Sequence, residues 1–327
     1  MSHLAGAVSP TADAPWSALP RVRLGLLPTP LMRAARLEAA LGCGPLLVKR
    51  DDLIGFGVAG NKARPLEFLL GAARARGAEV LVTGGGPGSN FCAAAALAAR
   101  SAGMACELVV WGEPTSPNLA LAVAAGATLR PIGGSRREEV DRQVAARAAE
   151  LGSRGFGVPR GGSTPLGAVG FAAAAAELAG QLAAPPSVIV LPVGSGGSVA
   201  GLLAGLAAVG LDVPVLGVSV SRPPEEIGAR VRALAVDCAA LLGTPRPRPD
   251  ACTLVDARGP GFGIASELER DRARLALHTE GLLLDETYGA EAFSVAVDRL
   301  TDRPGTVVWW HTGGVLPAVG TMMKGRA

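Results

Sequence analysis

Lys62 stands in the run Gly60-Asn61-Lys62-Ala63-Arg64, directly ahead of a helical stretch carrying Leu66, Phe68 and Leu69. A lysine at a helix N-terminus faces the unfavourable end of the helix dipole. Partial burial there lowers its pKa toward the range in which the neutral amine is a nucleophile. The competing reading is a solvated surface lysine, and this pentapeptide alone does not separate the two. Composition adds a pointer: lysine occurs only at Lys49, Lys62 and Lys324, within a total of 31 Lys and Arg. A genome that favours arginine codons explains the scarcity. A lysine kept inside such a chain still marks a place where guanidinium does not serve, and Schiff-base chemistry is the main one, because arginine stays protonated.

Three glycine-rich loops join strands to helices. Gly194-Ser195-Gly196-Gly197-Ser198 follows the apolar run Ser187–Val193 and opens a helix near Val199. Such a loop aims backbone N–H groups at one point on the positive end of a helix, a geometry that binds phosphate or carboxylate. A tight turn that needs glycine for steric reasons is the alternative. No Gly-Lys-Ser/Thr follows, and the spacing departs from Gly-x-Gly-x-x-Gly, so a lone phosphate suits the loop better than a dinucleotide. Thr83 to Asn90 offers a second anion nest, suited to a substrate carboxylate, with a side-chain amide at Asn90. Arg160 to Pro165 is the third loop. Together the three suggest one lined cleft.

The elements that must position these loops alternate. Runs rich in β-branched residues at 46–49, 79–83, 107–111, 187–193, 213–220 and 306–310 read as buried strands. Ala/Leu/Arg-rich stretches at 64–76, 91–102, 138–151, 168–182, 199–209, 228–242, 265–280 and 290–300 carry helical spacing. This order predicts an α/β chain of mostly parallel sheet, two Rossmann-like halves with a cleft between them. Residues 1–20 read as a loose arm, and 155–162 and 243–249 as Pro- and Gly-rich breaks.

The chain has 327 residues, 49% apolar and 18% charged, which supports a large core and argues against disorder. A net charge of +3 without basic blocks argues against a nucleic-acid surface. No apolar run reaches membrane length, and no basic flank with an apolar core marks a signal peptide. Five scattered cysteines suggest reduced thiols and a cytoplasmic chain. The three histidines, His3, His278 and His311, form no ligand pairs with cysteine, so neither a catalytic zinc nor a serine–histidine triad is expected.

The order of motifs resembles the D-cysteine desulfhydrase and 1-aminocyclopropane-1-carboxylate (ACC) deaminase group of pyridoxal-phosphate (PLP) enzymes. The resemblance starts with Lys49-Arg50-Asp51-Asp52-Leu53, Gly60-Asn61-Lys62 and Ser89-Asn90, with Ser89 following Lys62 by 27 residues. It continues through Gly161-Gly162-Ser163, Leu166-Gly167, Gly170 and Gly194–Ser198, and closes with Glu280-Gly281, Leu284-Asp285, Tyr288 and His311-Thr312-Gly313-Gly314. It implies PLP fold type II (tryptophan synthase β-like), with two open-sheet domains and the active site in the cleft. The implied large cofactor-binding domain comprises 1–62 and 171–327, and the small domain 63–170. It also implies a homodimer. Lys62 would hold PLP as a Schiff base and move the substrate's α-proton, Asn90 would hydrogen-bond the phenolic oxygen, and Ser89 would face the substrate. Gly194, Ser195, Gly196, Gly197 and Ser198 would cradle the phosphate, Tyr288 would stand over the substrate, and Thr312 would join the cofactor contacts.

Four departures from that group bear on the reaction. Gly88 stands where the group has glutamine, and Phe91 where a polar residue follows the Ser-Asn pair. Gly289 follows the active-site tyrosine in place of a side chain able to reach the pyridine nitrogen, which weakens the electron sink unless Thr312, Thr287 or a water substitutes. The segment Gly259-Pro260-Gly261-Phe262-Gly263 lacks the group's second tyrosine, and Tyr288 is the only tyrosine in the chain. Ring opening that relies on two phenols, as in ACC deaminase, is therefore disfavoured. The resemblance leaves a PLP-dependent lyase of amino-acid metabolism, D-cysteine desulfhydrase-like, acting on a small β-substituted amino acid to give pyruvate and ammonia. β-Replacement, racemisation or another biosynthetic step, and a lapsed PLP-binding homologue, are its rivals.

Overall fold

The computed structural model describes residues 14–112, 116–133, 137–259, 261–302 and 304–324. The first thirteen residues of the expected arm, and Pro260, lie outside them. In chain order the elements are β1 (Leu31–Arg33), α1 (Ala35–Leu41), β2 (Leu46–Arg50), α2 (Ala63–Ala75), β3 (Val80–Gly85), α3 (Asn90–Ser101) and β4 (Ala105–Val110). There follow α4 (Pro117–Ala124), β5 (Thr128–Pro131), α5 (Arg137–Glu150), β6 (Gly155–Gly157), α6 (Pro165–Gln181), β7 (Val188–Val193) and α7 (Gly197–Ala208). The chain closes with β8 (Val215–Ser219), α8 (Pro224–Leu242), β9 (Cys252–Asp256), α9 (Glu267–Glu280), α10 (Gly289–Asp302), β10 (Val307–His311) and α11 (Val315–Lys324).

Two sheets result. The larger runs β1-β2-β10-β7-β8-β9 and is parallel except for β1, which pairs antiparallel with β2 at the edge. The smaller, β5-β4-β3-β6, is parallel throughout. The expected α/β class with two open sheets is thus what the chain adopts. Central strands are largely apolar on both faces because helices cover both. The neighbours Trp309 and Trp310 show this directly, since successive strand residues point to opposite faces. Trp310 meets Phe171 of α6 at 5.3 Å between ring centroids, while Trp309 meets Phe293 of α10 at 5.0 Å.

Three expectations are corrected. Residues 14–20 are packed rather than loose, because Trp16 enters the core of the larger sheet at 8% exposure. The break at 155–162 contains β6, which pairs with β3. Gly84 and Gly85 belong to β3, so the second glycine loop is confined to Gly86–Ser89.

The interior lysine other than Lys62 has a structural role. Lys49 is fully buried, ion-paired with Glu177, and donates to the Gln181 side chain and the Thr29 carbonyl, each at 2.7 Å. Arg64, also buried, grips Asp51 through two hydrogen bonds of 2.7 Å and reaches Glu177 at 3.1 Å. Burial alone would raise the Glu177 carboxyl, but the charges of Arg64 and Lys49 override it and leave it at about 2. The network ties α2, α6 and β2 together immediately behind the turn that carries Lys62.

Candidate active site

Lys62 ends a short turn, Gly60–Lys62, that leads into α2. Gly60 adopts φ +53°, and a Cβ there would lie 2.4 Å from the Thr312 carbonyl oxygen. The Asn61 N–H donates to that same oxygen at 2.9 Å. The turn therefore sits against the end of β10, and only glycine permits the contact. Asn61 donates its side-chain amide to Ser198 Oγ at 3.1 Å, linking the lysine turn to the glycine loop after β7.

That loop has the geometry an anion cradle requires. Gly196, at φ +93°, precedes α7, whose first turn contains no acidic residue and has no side-chain cap. The opening N–H groups of a helix lack intrahelical acceptors, so they and the dipole face an incoming anion. The third loop braces the cradle. Ser163 Oγ lies 2.7 Å from Ser195 Oγ and accepts the Gly197 N–H at 3.2 Å, while Arg230 donates to the Ser195 carbonyl at 3.1 Å. Gly161, at φ +73°, approaches so closely that a Cβ would fall 2.2 Å from Ser195 Oγ.

On the other side, Ser89 caps α3 by accepting the Cys92 N–H at 3.2 Å. Asn90 is oriented by Asn118, whose amide donates to Asn90 Oδ1 and to the Gly88 carbonyl, both at 3.0 Å. Tyr288 lays its ring over Gly194, where a Cβ would be 3.1 Å from the ring edge. Phe262 meets Tyr288 edge-on at 6.2 Å.

These parts line one cavity of about 520 Å³, which includes Lys62, Ser89, Asn90, Gly194, Ser195, Gly196, Ser198, Tyr288 and Thr312. Of the expected site residues only Gly197 is not part of its wall; its N–H serves the Ser163 brace instead. Burial lowers the Lys62 amine to about 8, against an opposing pull from the Asp285 carboxylate. Asp285 is itself raised to about 6 by burial, although it accepts the N–H groups of Thr287, Tyr288 and Gly289 at 3.0–3.2 Å. Gly289 is thus engaged through its backbone, as the missing side chain requires. The structure adds Asn61, Asn118, Ser163 and Trp111 to the site. Asn61 and Ser163 belong to the Gly60–Lys62 and Gly161–Ser163 motifs, whereas Asn118 and Trp111 carry no local signal.

The model of the pyridoxal-phosphate dependent enzyme family matches residues 22–313. The chain belongs to that family, and within it to the D-cysteine desulfhydrase/ACC deaminase group; it is an enzyme with PLP as its cofactor. It is 38% identical to the nocardicin C-9' epimerase of Nocardia uniformis subsp. tsuyamanensis, over 92% of this chain and 94% of the relative. It is 31% identical to the D-cysteine desulfhydrase of Salmonella choleraesuis (strain SC-B67), over 90% and 94% respectively. The solved structure of an ACC deaminase homologue superposes with TM-score 0.87 at 31% identity, covering 96% of this chain and 98% of that one. The residues present fit PLP: an amine of lowered basicity for the aldehyde, and a helix N-terminus free of acid for the phosphate. Among the described residues no helix is long and apolar enough to cross a membrane.

Proposed function

We propose that the chain acts at the α-carbon of a free amino acid, with Lys62 as both the attachment point of PLP and the base that removes the α-proton. The observation that carries this is an amine brought to about 8 in the same cavity as the uncapped N-terminus of α7. At neutral pH part of that amine population is unprotonated, as a general base requires. PLP, when bound, supplies an electron sink for the carbanion at the α-carbon. The chain supplies the rest. Gly194, Ser195, Gly196 and Ser198 would bind the phosphate, with Gly197, Ser163 and Gly161 bracing them. Asn90, oriented by Asn118, would donate its amide to the phenolic oxygen, and Thr312 would join the contacts to the ring. Ser89 and the adjacent backbone receive the substrate carboxylate, and Tyr288 stands over the reacting carbon.

With a leaving group on the β-carbon, loss of the α-proton to Lys62 is followed by departure of that group with its electron pair. Water then completes the conversion to pyruvate and ammonia. This is the D-cysteine desulfhydrase-like reading, and similarity to the Salmonella enzyme supports it. A second reading, epimerisation of the α-carbon, is favoured by the higher similarity to the nocardicin C-9' epimerase. It also draws on Ser89, whose hydroxyl reaches the cavity from a different element than Lys62.

On the same reading, residues 1–62 and 171–327 form the cofactor-binding domain and 63–170 the small domain; all four strands of the smaller sheet fall in the second range. A cytoplasmic homodimer completes the proposal by likeness to the group. The test is to supply the holoenzyme with D-cysteine, β-chloro-D-alanine and cysteate in heavy water, measuring pyruvate and α-deuterium. Pyruvate supports elimination, and α-exchange without pyruvate supports epimerisation. Neither product, or a Lys62→Ala variant with an unchanged visible spectrum, refutes the assignment.

A further inference from the structure

The cavity has two chemically different ends. The phosphate end is contributed by loops of the larger sheet, after β7 and after β8, where Ser221 and Arg222 line it beside Ser195. The opposite end comes from the smaller sheet. Gly86, Pro87 and Gly88 follow β3, and Trp111 follows β4. The Trp111 ring packs so closely on Gly86 that a Cβ there would be 2.7 Å from its edge. This contact leaves the indole as a wall of the cavity. Phe262, 56% exposed, forms the outer rim against Tyr288. Gly88, exposed and also part of the cavity lining, faces open space: a Cβ at that position would meet nothing within 4 Å. Two charged groups in the cavity lining are already engaged, Arg160 by Asp141 at 2.8 Å and Asp285 by three peptide N–H groups.

We propose that this end is a side-chain subsite, and that Gly88, Trp111 and Phe262 select an amino acid bearing a large aromatic or extended apolar substituent rather than one the size of cysteine. The inference rests on the reading of Lys62 as the PLP-bearing residue and adds the substrate class to it. Two aromatic side chains in the lining, with the space left beside them by the missing side chain at Gly88, suit a large apolar or planar group. The same subsite serves either outcome at the α-carbon. In elimination the bulky group is the β-substituent that leaves with the bond's electron pair; in epimerisation it stays attached.

The test is a titration of the PLP-loaded protein with D- and L-alanine and D- and L-phenylalanine, following the visible absorbance of the lysine-bound cofactor. One phenylalanine enantiomer is expected to perturb the spectrum at a concentration at least about tenfold below that of either alanine, the effect of burying one aromatic ring. Gly88→Gln, whose Cβ would meet no atom within 4 Å, is expected to abolish this preference. Trp111→Ala is expected to reduce it. Alanine binding as tightly as phenylalanine, no response to phenylalanine, or a Gly88→Gln variant that weakens both amino acids equally overturns the inference while the Lys62 reading stands. A wild-type protein with no chromophore after PLP addition overturns the Lys62 reading itself, and the inference with it.

Discussion

The titration of Lys62 in the PLP-free protein is the most direct quantitative consequence of the site. Burial brings the amine to about 8, from 10.5 for an ordinary lysine. At pH 7.5 a group at about 8 is neutral in roughly a quarter of molecules, and one at 10.5 in roughly one in a thousand. Lys62 should therefore acylate about two hundredfold faster than a solvated lysine of equal intrinsic reactivity. Competitive trace labelling with acetic anhydride measures this, with Nα-acetyl-lysine as the reference amine. After tryptic digestion, acetylated Lys62 is carried on the peptide Asp51–Arg74, because Pro65 blocks cleavage after Arg64. The labelling rate should rise with pH and level off, with a midpoint near 8. Asp285 supplies the sign test. Its carboxylate stabilises the ammonium form, and above about 6 it is ionised. Asp285→Asn removes that attraction, so the midpoint must move to lower pH. A midpoint near the ordinary lysine value, or a shift to higher pH in Asp285→Asn, refutes the electrostatic account.

Two further outcomes follow from the same physics. Glu291 is fully buried, neither of its carboxyl oxygens has a partner, and burial raises it to about 9. The folded state thus holds a proton that the unfolded chain releases above about 4.5, and stability falls as pH rises through that window. Glu291→Gln should leave stability near pH 5 little changed and raise it by a few kcal/mol near pH 8, as read by urea denaturation; parallel profiles for the two proteins would exclude the argument. Gly161→Ala forces a Cβ against Ser195 at φ +73° and must displace the phosphate cradle. PLP affinity should drop by about tenfold or more in a spectroscopic titration, and undiminished affinity would show that the loop contact is dispensable.

Strand legibility followed burial. The six apolar runs read from the sequence are the interior strands of the two sheets, each flanked by neighbours and covered by helices. The four strands that escaped notice, β1, β9, β5 and β6, are the outermost strand of each sheet on either side. They are short or half-exposed, so no unbroken apolar run marks them. The phosphate loop was legible because a strand, a glycine cluster and a helix follow one another in sequence. The role of Lys62 was not: its burial comes from a cavity whose lining includes Thr312, Gly313 and Asp285, all more than 200 residues away, and only the family resemblance supplied the role. Asn118 orients Asn90 from 28 residues downstream, a relation that no local pattern records.

The buried charge network behind α2 has a kinematic meaning. Arg64 is clamped by Asp51 and Glu177 only two residues beyond the reactive amine, and Asn61 is tied to Thr312 just before it. The main chain at position 62 is consequently a fixed pivot. On the proposed role of Lys62, the travel of its amine during turnover must come from rotation about the four methylene carbons of its tether, while the scaffold on either side stays still.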